Sequence, residues 1–214
     1  MGSGLGDFLW LCFNGEVLRQ MLVTRSCASL SLKSQVLYLI VTVVRYLDVF
    51  WLWNGVGTFV LKFMSILVCG HIVFLMHKRF GETYDRGNDT FKVRFLIGPS
   101  LALALVTSHF RIHTEIWHVC SKFSRFLQAL APFPQLFYMQ RTGEARAITL
   151  PALVIQGLYH VVYVFHFVWQ YVWGDMAPRL SFVLSHIMAC FIFIDFAYNY
   201  LYKIHKDKLP TARA

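Results

Sequence analysis

Residues 35–53 read QVLYLIVTVVRYLDVFWLW, apolar or aromatic except for Gln35, Thr42, Arg45 and Asp48. As a helix rising 1.5 Å per residue, this stretch is about 28 Å long, the thickness of a bilayer's hydrocarbon core. Arg45 and Asp48 are three residues apart and share one helical face. Ionisable groups inside a membrane are costly and turn toward an interior. The segment therefore reads as a membrane-spanning helix with a polar inner face.

The rest of the 214-residue chain agrees. Apolar residues make up 57%, aromatics 17% and charged residues 14%, with mean hydropathy +0.53. Soluble domains carry about a quarter charged residues to cover their surface. A polytopic membrane protein is expected, and disorder is excluded by the apolar content. The net charge of +9 is scattered between apolar stretches, so nucleic acid is not an expected partner. Five cysteines without CxxC or zinc spacing predict neither a disulfide framework nor a metal site.

Spans are predicted near 5–23, 35–53, 58–76, 93–110, 114–138, 148–170 and 179–202, with a hydrophilic connection, KRFGETYDRGNDTFK, at 78–92. The chain then forms a single seven-helix membrane domain, 1–214, whose residues 203–214 are a basic tail. With the C-terminus cytosolic, the inner segments hold Arg25, Lys33, Lys78, Arg79, Arg86, Lys92, Arg141, Arg146, Lys203, Lys206, Lys208 and Arg213. The other face holds Arg111 and Arg179. The positive-inside rule thus predicts a lumenal N-terminus and a cytosolic C-terminus. The first basic residue is Arg19, so no cleavable signal peptide is expected. Spans one to three and five to seven would enter in the same direction. That predicts an all-α architecture of two parallel triple-helix bundles joined by a linker helix. RYLDVFWLW (45–53) and VYVFHFVW (162–169) carry a faint internal likeness, and Pro134-Gln135 is compatible with a PQ-loop fold.

The polar residues inside the spans are the candidate site. Arg45 lies about 16 Å along its helix from Ser34, near the midplane. It either fixes packing as a buried ion pair with Asp48, or is held in a cavity where its planar donor fork suits a carboxylate. Tyr159, Tyr163, His166 or Phe167, and Gln170 fall on one helical face, with His160 beside them. An aromatic and polar face of this kind reads as a pocket wall. Span five offers Glu115, Trp117, His118, Lys122 and Arg125, the last two able to pair with Glu16 or Asp48. Lys62 is expected to snorkel at a span end. No nucleophile–base set, paired carboxylates or metal-ligand box is present, so no enzyme, catalytic residue, metal or cofactor is predicted.

Five blocks carry a resemblance: RSCASLSLKSQVLYLIVTVVRYLDVF (25–50), FGETYDRGNDTFKVRFL (80–96), PQLFYMQRTGEARAIT (134–149), GLYHVVYVFHFVWQY (157–171) and IDFAYNYLYK (194–203). Together they resemble the KDEL receptors, the ER lumen protein-retaining receptors, in order from about Gly6 to Lys208. The resemblance implies a seven-helix receptor shaped like the PQ-loop and sugar transporters, resident in ER and Golgi membranes. It would bind C-terminal KDEL-like tetrapeptides of ER lumenal proteins in the acidic Golgi and return them by vesicular retrograde transport. It further implies that Arg45 and Tyr46 hold the peptide's terminal carboxylate, that Asp48 and Glu115 line the site, and that Tyr159 and Tyr163 are pocket tyrosines. Asp195 matches an acid needed for retrograde movement, and Lys206 and Lys208 match tail lysines exposed to a COPI-type coat.

The chain departs from that pattern in the pocket. Trp10 stands at a span-one histidine, no basic residue precedes Arg19, and Trp117-His118 occupies the place of a displaced tryptophan. A span-five glutamate falls at Arg125 or Gln128. In span six His160, His166, Phe167 and Gln170 replace Arg, Asn, Trp and Arg. Histidines in place of fixed cations predict that His160, His166 and His118 gain charge on acidification. Two other readings stay open: a PQ-loop-type small-metabolite transporter, and an orphan relative that no longer binds the tetrapeptide.

Overall fold

The computed structural model describes residues 2–47, 55–108, 116–142, 150–173 and 180–208. Asp48 and Glu115 lie outside the described residues, as do the side chains of Lys206 and Lys208. Among the described residues all regular structure is helical: α1 (Gly2–Thr24), α2 (Leu32–Tyr46), α3 (Val56–Phe74), α4 (Arg94–Thr107), α5 (Ile116–Leu130), α6 (Phe133–Thr142), α7 (Leu150–Trp173) and α8 (Leu180–Lys208). Three helical stretches, Val56–Arg79, Leu150–Trp173 and Ser181–Asn199, are long and apolar enough to cross a membrane, and Arg94–Thr107 is a shorter apolar helix.

The packing pairs the helices by a simple rule. α3 packs against both α1 and α2, and α8 packs against both α5 and α7. The two triplets meet through α1 on α7 and α2 on α5. Exchanging α1 with α5, α2 with α7 and α3 with α8 maps this set of contacts onto itself. These are the two triple-helix bundles expected from the sequence, with α4 packed on α5 as the linker. Trp10, Phe13, Tyr38, Val41 and Ile72 lie in the core between the helices of the first bundle. Val154, Leu158, Val161, Phe165, Val168 and Trp169 of α7 are exposed along one stripe. An apolar stripe of that extent is the surface a helix offers to lipid.

The fifth predicted span, 114–138, is two helices instead of one. α5 ends at Leu130, and the Leu136 amide donates to the Pro132 carbonyl at 2.9 Å to open α6. Pro132 has no N–H to continue α5, whereas Pro134 sits in the first turn of α6, where no donor is needed. The third helix runs on through a π turn, Leu75–Arg79, closed by Phe80 N to Leu75 O at 2.8 Å. Before it, Gly55 opens α3 at φ 90°, a conformation a Cβ would strain.

The break delivers Gln135 into a buried polar hub. Its side chain accepts from the Ser31 amide at 2.7 Å and donates to the Ser29 carbonyl at 2.9 Å, and its own amide donates to Ser34 Oγ at 2.9 Å. Ser31 caps α2. Its hydroxyl also donates to Asp89 at 2.9 Å, and the Tyr84 hydroxyl donates to the same carboxylate oxygen at 2.6 Å. Burial and that carboxylate hold the Tyr84 phenol well above its ordinary range. The Cys27 thiol, pushed up by burial, donates to the Phe80 carbonyl at 3.1 Å. The connections 25–31 and 80–91 are thereby fastened to the start of α6.

Candidate functional site

The site is built where α1 lies between α2 and α7. Trp10 is fully buried, and its indole N–H donates to Thr42 Oγ1 at 3.1 Å while its ring lies 5.5 Å from Tyr38 and 6.3 Å from Tyr159. One turn earlier, Tyr46 donates its hydroxyl to Asp7 at 2.7 Å. A bond to a carboxylate is roughly twice as strong as a neutral one, so it fixes the tyrosine beside Arg45. Tyr46 is 2% exposed. Lys62 of α3, 6% exposed, places its ammonium 5.7 Å from the Tyr46 ring centroid. This corrects the expectation that Lys62 snorkels outward: the α2–α3 packing turns it inward over an aromatic face.

Arg45 itself, half-buried, donates to the side-chain carbonyl of Gln128 on α5. Among the described residues no carboxylate lies within 4.0 Å of its guanidinium. An arginine inside the helix packing that meets a neutral amide retains donors for an anion. Of the two positions considered for a span-five acid, Gln128 is the one facing Arg45. Arg125 instead donates to Ser121 at 2.7 Å and lies 4.5 Å over the Phe182 ring of α8. Lys122 donates to the Thr107 carbonyl at 2.7 Å. Glu16, considered as a partner for either cation, accepts from Arg19 at 2.7 Å and from Gln20 at 2.6 Å.

The opposite wall is the α7 face read from the sequence. Tyr159, His160 and Phe167 are buried and Tyr163 is half-buried, with the two tyrosine rings 4.9 Å apart. His160 and His186 of α8 approach Nδ1 to Nδ1 at 2.9 Å, so one nitrogen carries a proton that the other accepts. Tyr163 stacks on the His186 ring at 4.6 Å and 16°. His166 and Gln170 are half-buried at the margin of this face. Trp117 is half-buried and His118 exposed at the start of α5. Asp195 is exposed on α8, nine residues beyond His186.

At Gly6 of α1 an added Cβ would meet the Tyr163 hydroxyl of α7 at 1.6 Å. Gly6→Ala is therefore expected to displace the Tyr163 ring and weaken ligand binding by about tenfold, or ~1.4 kcal/mol. Tyr163→Ala in the same chain should relieve the clash, so the double variant binds no worse than Tyr163→Ala alone. Affinities of the three variants check this.

A profile of the family described as ER lumen protein retaining receptor matches residues 26–170. The ER lumen protein-retaining receptor of Drosophila melanogaster is 35% identical over 186 residues, 86% of this chain and 85% of its own. ER lumen protein-retaining receptor 3 of Xenopus tropicalis is 35% identical over 194 residues, covering 90% and 88%. Its Xenopus laevis counterpart is 34% identical over 206 residues, covering 95% and 94%. The chain belongs to the ER lumen protein-retaining receptor family.

Within this retaining-receptor family member the structure brings Arg45, Tyr46, Tyr159, His160, Tyr163 and Phe167 around one helix junction. Asp7 and His186 join them without having been singled out from the sequence, and Lys62 joins them against the expectation that it snorkels. Asp7 follows Gly6 in the first turns of α1, before the apolar run is long enough to mark it as intramembrane. His186 is a lone histidine in an apolar span, and only the α7–α8 packing gives it a partner.

Proposed function

We propose that this chain is a membrane-embedded receptor for ER lumenal proteins that binds their C-terminal KDEL-like tetrapeptides in the Golgi and returns them to the ER. The observation that carries this is Arg45: a guanidinium inside the helix packing, bonded to a neutral amide, with Tyr46 beside it and the Lys62 ammonium over the Tyr46 ring. A bidentate fork with a second cation nearby suits a carboxylate. The peptide's terminal carboxylate takes that place, while Tyr159, Tyr163, Phe167 and His160 form the wall along the peptide. Trp117, His118, His166 and Gln170 complete the rim, and Asp48 and Glu115 are carried as further contacts for the peptide, Glu115 for the signal's basic residue.

The N-terminus is lumenal and the C-terminus cytosolic, as the distribution of Lys and Arg directs. Lys206 and Lys208 meet a COPI-type coat, and Asp195 acts in retrograde movement. The relatives carry receptor names, which favours neither the small-metabolite transporter nor an orphan without a peptide. A secreted reporter ending in KDEL tests the function in cells lacking their own retaining receptors. Expression of this chain is expected to hold the reporter inside, and Arg45→Ala is expected to release it. Equal secretion with and without the chain contradicts the proposal.

A further inference from the structure

Gln128 of α5 is 2% exposed, and among the described residues its buried Nε2 has no hydrogen-bond partner. A buried donor left empty is destabilising, and native folds leave few of them. The orientation of this donor is fixed by the other half of the same carboxamide, since Oε1 accepts from Arg45. A guanidinium has donors only, so turning the amide over would set N–H against N–H. Nε2 therefore lies within about 5 Å of the bonding guanidinium nitrogen, the sum of one hydrogen bond and the width of a carboxamide. Arg45 keeps further N–H groups on the same fork. Two adjacent residues from different helices thus present donors, and neither brings a negative charge.

The group that satisfies both must offer two acceptors side by side. A carboxylate has two acceptor oxygens on one carbon and no donor. A primary amide has one acceptor and one donor, so it would turn an N–H toward Gln128 or Arg45 and leave one of them unmet. Asp7, the acid whose charge reaches Arg45, accepts from the Tyr46 hydroxyl at 2.7 Å. The neutrality of Gln128 also matters. A glutamate at 128 would pair with Arg45 itself and repel an incoming carboxylate, whereas the carboxamide occupies one guanidinium N–H and adds a donor of its own.

We propose that Gln128 is a specificity-determining contact of the site, its Nε2–H donating to one oxygen of the carboxylate whose other oxygen accepts from Arg45. The assignment rests on the peptide-receptor reading above and adds to it a second residue that selects a free acid over an amide. The KDEL tetrapeptide, as free acid and as C-terminal amide, is titrated into purified receptor at one acidic pH. Gln128→Met, similar in length and without the donor, is expected to bind the acid about tenfold more weakly and the amide within about twofold of the parent. The side-chain amide signal of Gln128 in NMR spectra, identified by its absence from Gln128→Met, is expected to move downfield with the acid and to stay in place with the amide. That signal separates a ligand contact from a residue that only steadies Arg45. Gln128→Glu should lose about 100-fold for the acid at neutral pH and recover on acidification, when its carboxyl takes a proton and donates again. An unmoved Gln128 signal under saturating acid, an acid preference undiminished in Gln128→Met, or full affinity of Gln128→Glu for the acid at neutral pH would overturn this assignment alone. A parent receptor that binds neither peptide would overturn the receptor reading and this assignment with it.

Discussion

Arg45→Ala is expected to weaken binding of a KDEL-type peptide by about 100-fold or more, without a comparable loss of thermal stability. The affinity loss follows from removing a charge-assisted, two-pronged contact inside a partly desolvated site, where such pairs are worth about 2–5 kcal/mol. Stability should change little because the guanidinium's hydrogen bond within the protein is to the neutral Gln128 amide. A buried structural ion pair behaves in the opposite way, since breaking it strands a charge and destabilises the fold. Arg45→Lys keeps the charge and loses the planar fork, so an intermediate loss of about tenfold is expected. Peptide titration and thermal melting of the same preparations separate these outcomes. Large destabilisation with unchanged affinity would return Arg45 to a packing role.

Gln135→Ala is expected to destabilise the receptor by about 2–4 kcal/mol. The side chain accepts from one backbone amide and donates to one carbonyl, both in the buried connection between α1 and α2. Alanine withdraws both bonds at once and leaves space at the junction of three segments. Gln135→Glu is the sharper variant: it retains the acceptor for the Ser31 amide but sets an oxygen against the Ser29 carbonyl. Both should lower the melting temperature by about 5–10 °C. Gln140→Ala, exposed one turn further along α6, should stay within about 0.5 kcal/mol of the parent. Equal melting of all three would show that the hub does not hold the connections.

Much of this architecture was legible in residue order, because span length and hydropathy respond to the bilayer alone. An odd number of spans with a linker in the middle was enough to place the triplets in parallel. The α7 face was legible too, since Tyr159, Tyr163 and Phe167 repeat at helical spacing. What escaped depended on a neighbour from another helix. Lys62 looks like any lysine near a span end until α2 sets the Tyr46 ring beneath it. His160 read as part of a pocket wall, yet it meets His186 across the α7–α8 interface. The division of the fifth span was written in Pro132 and Pro134, but counting apolar residues merges two short helices into one long one.

The most direct test compares one tetrapeptide as the free acid and as the C-terminal amide, titrated into purified receptor at the same acidic pH. If Arg45 receives the terminal carboxylate, amidation should cost about 100-fold in the parent receptor and nothing further in Arg45→Ala. Equal affinity for acid and amide in the parent would contradict the account.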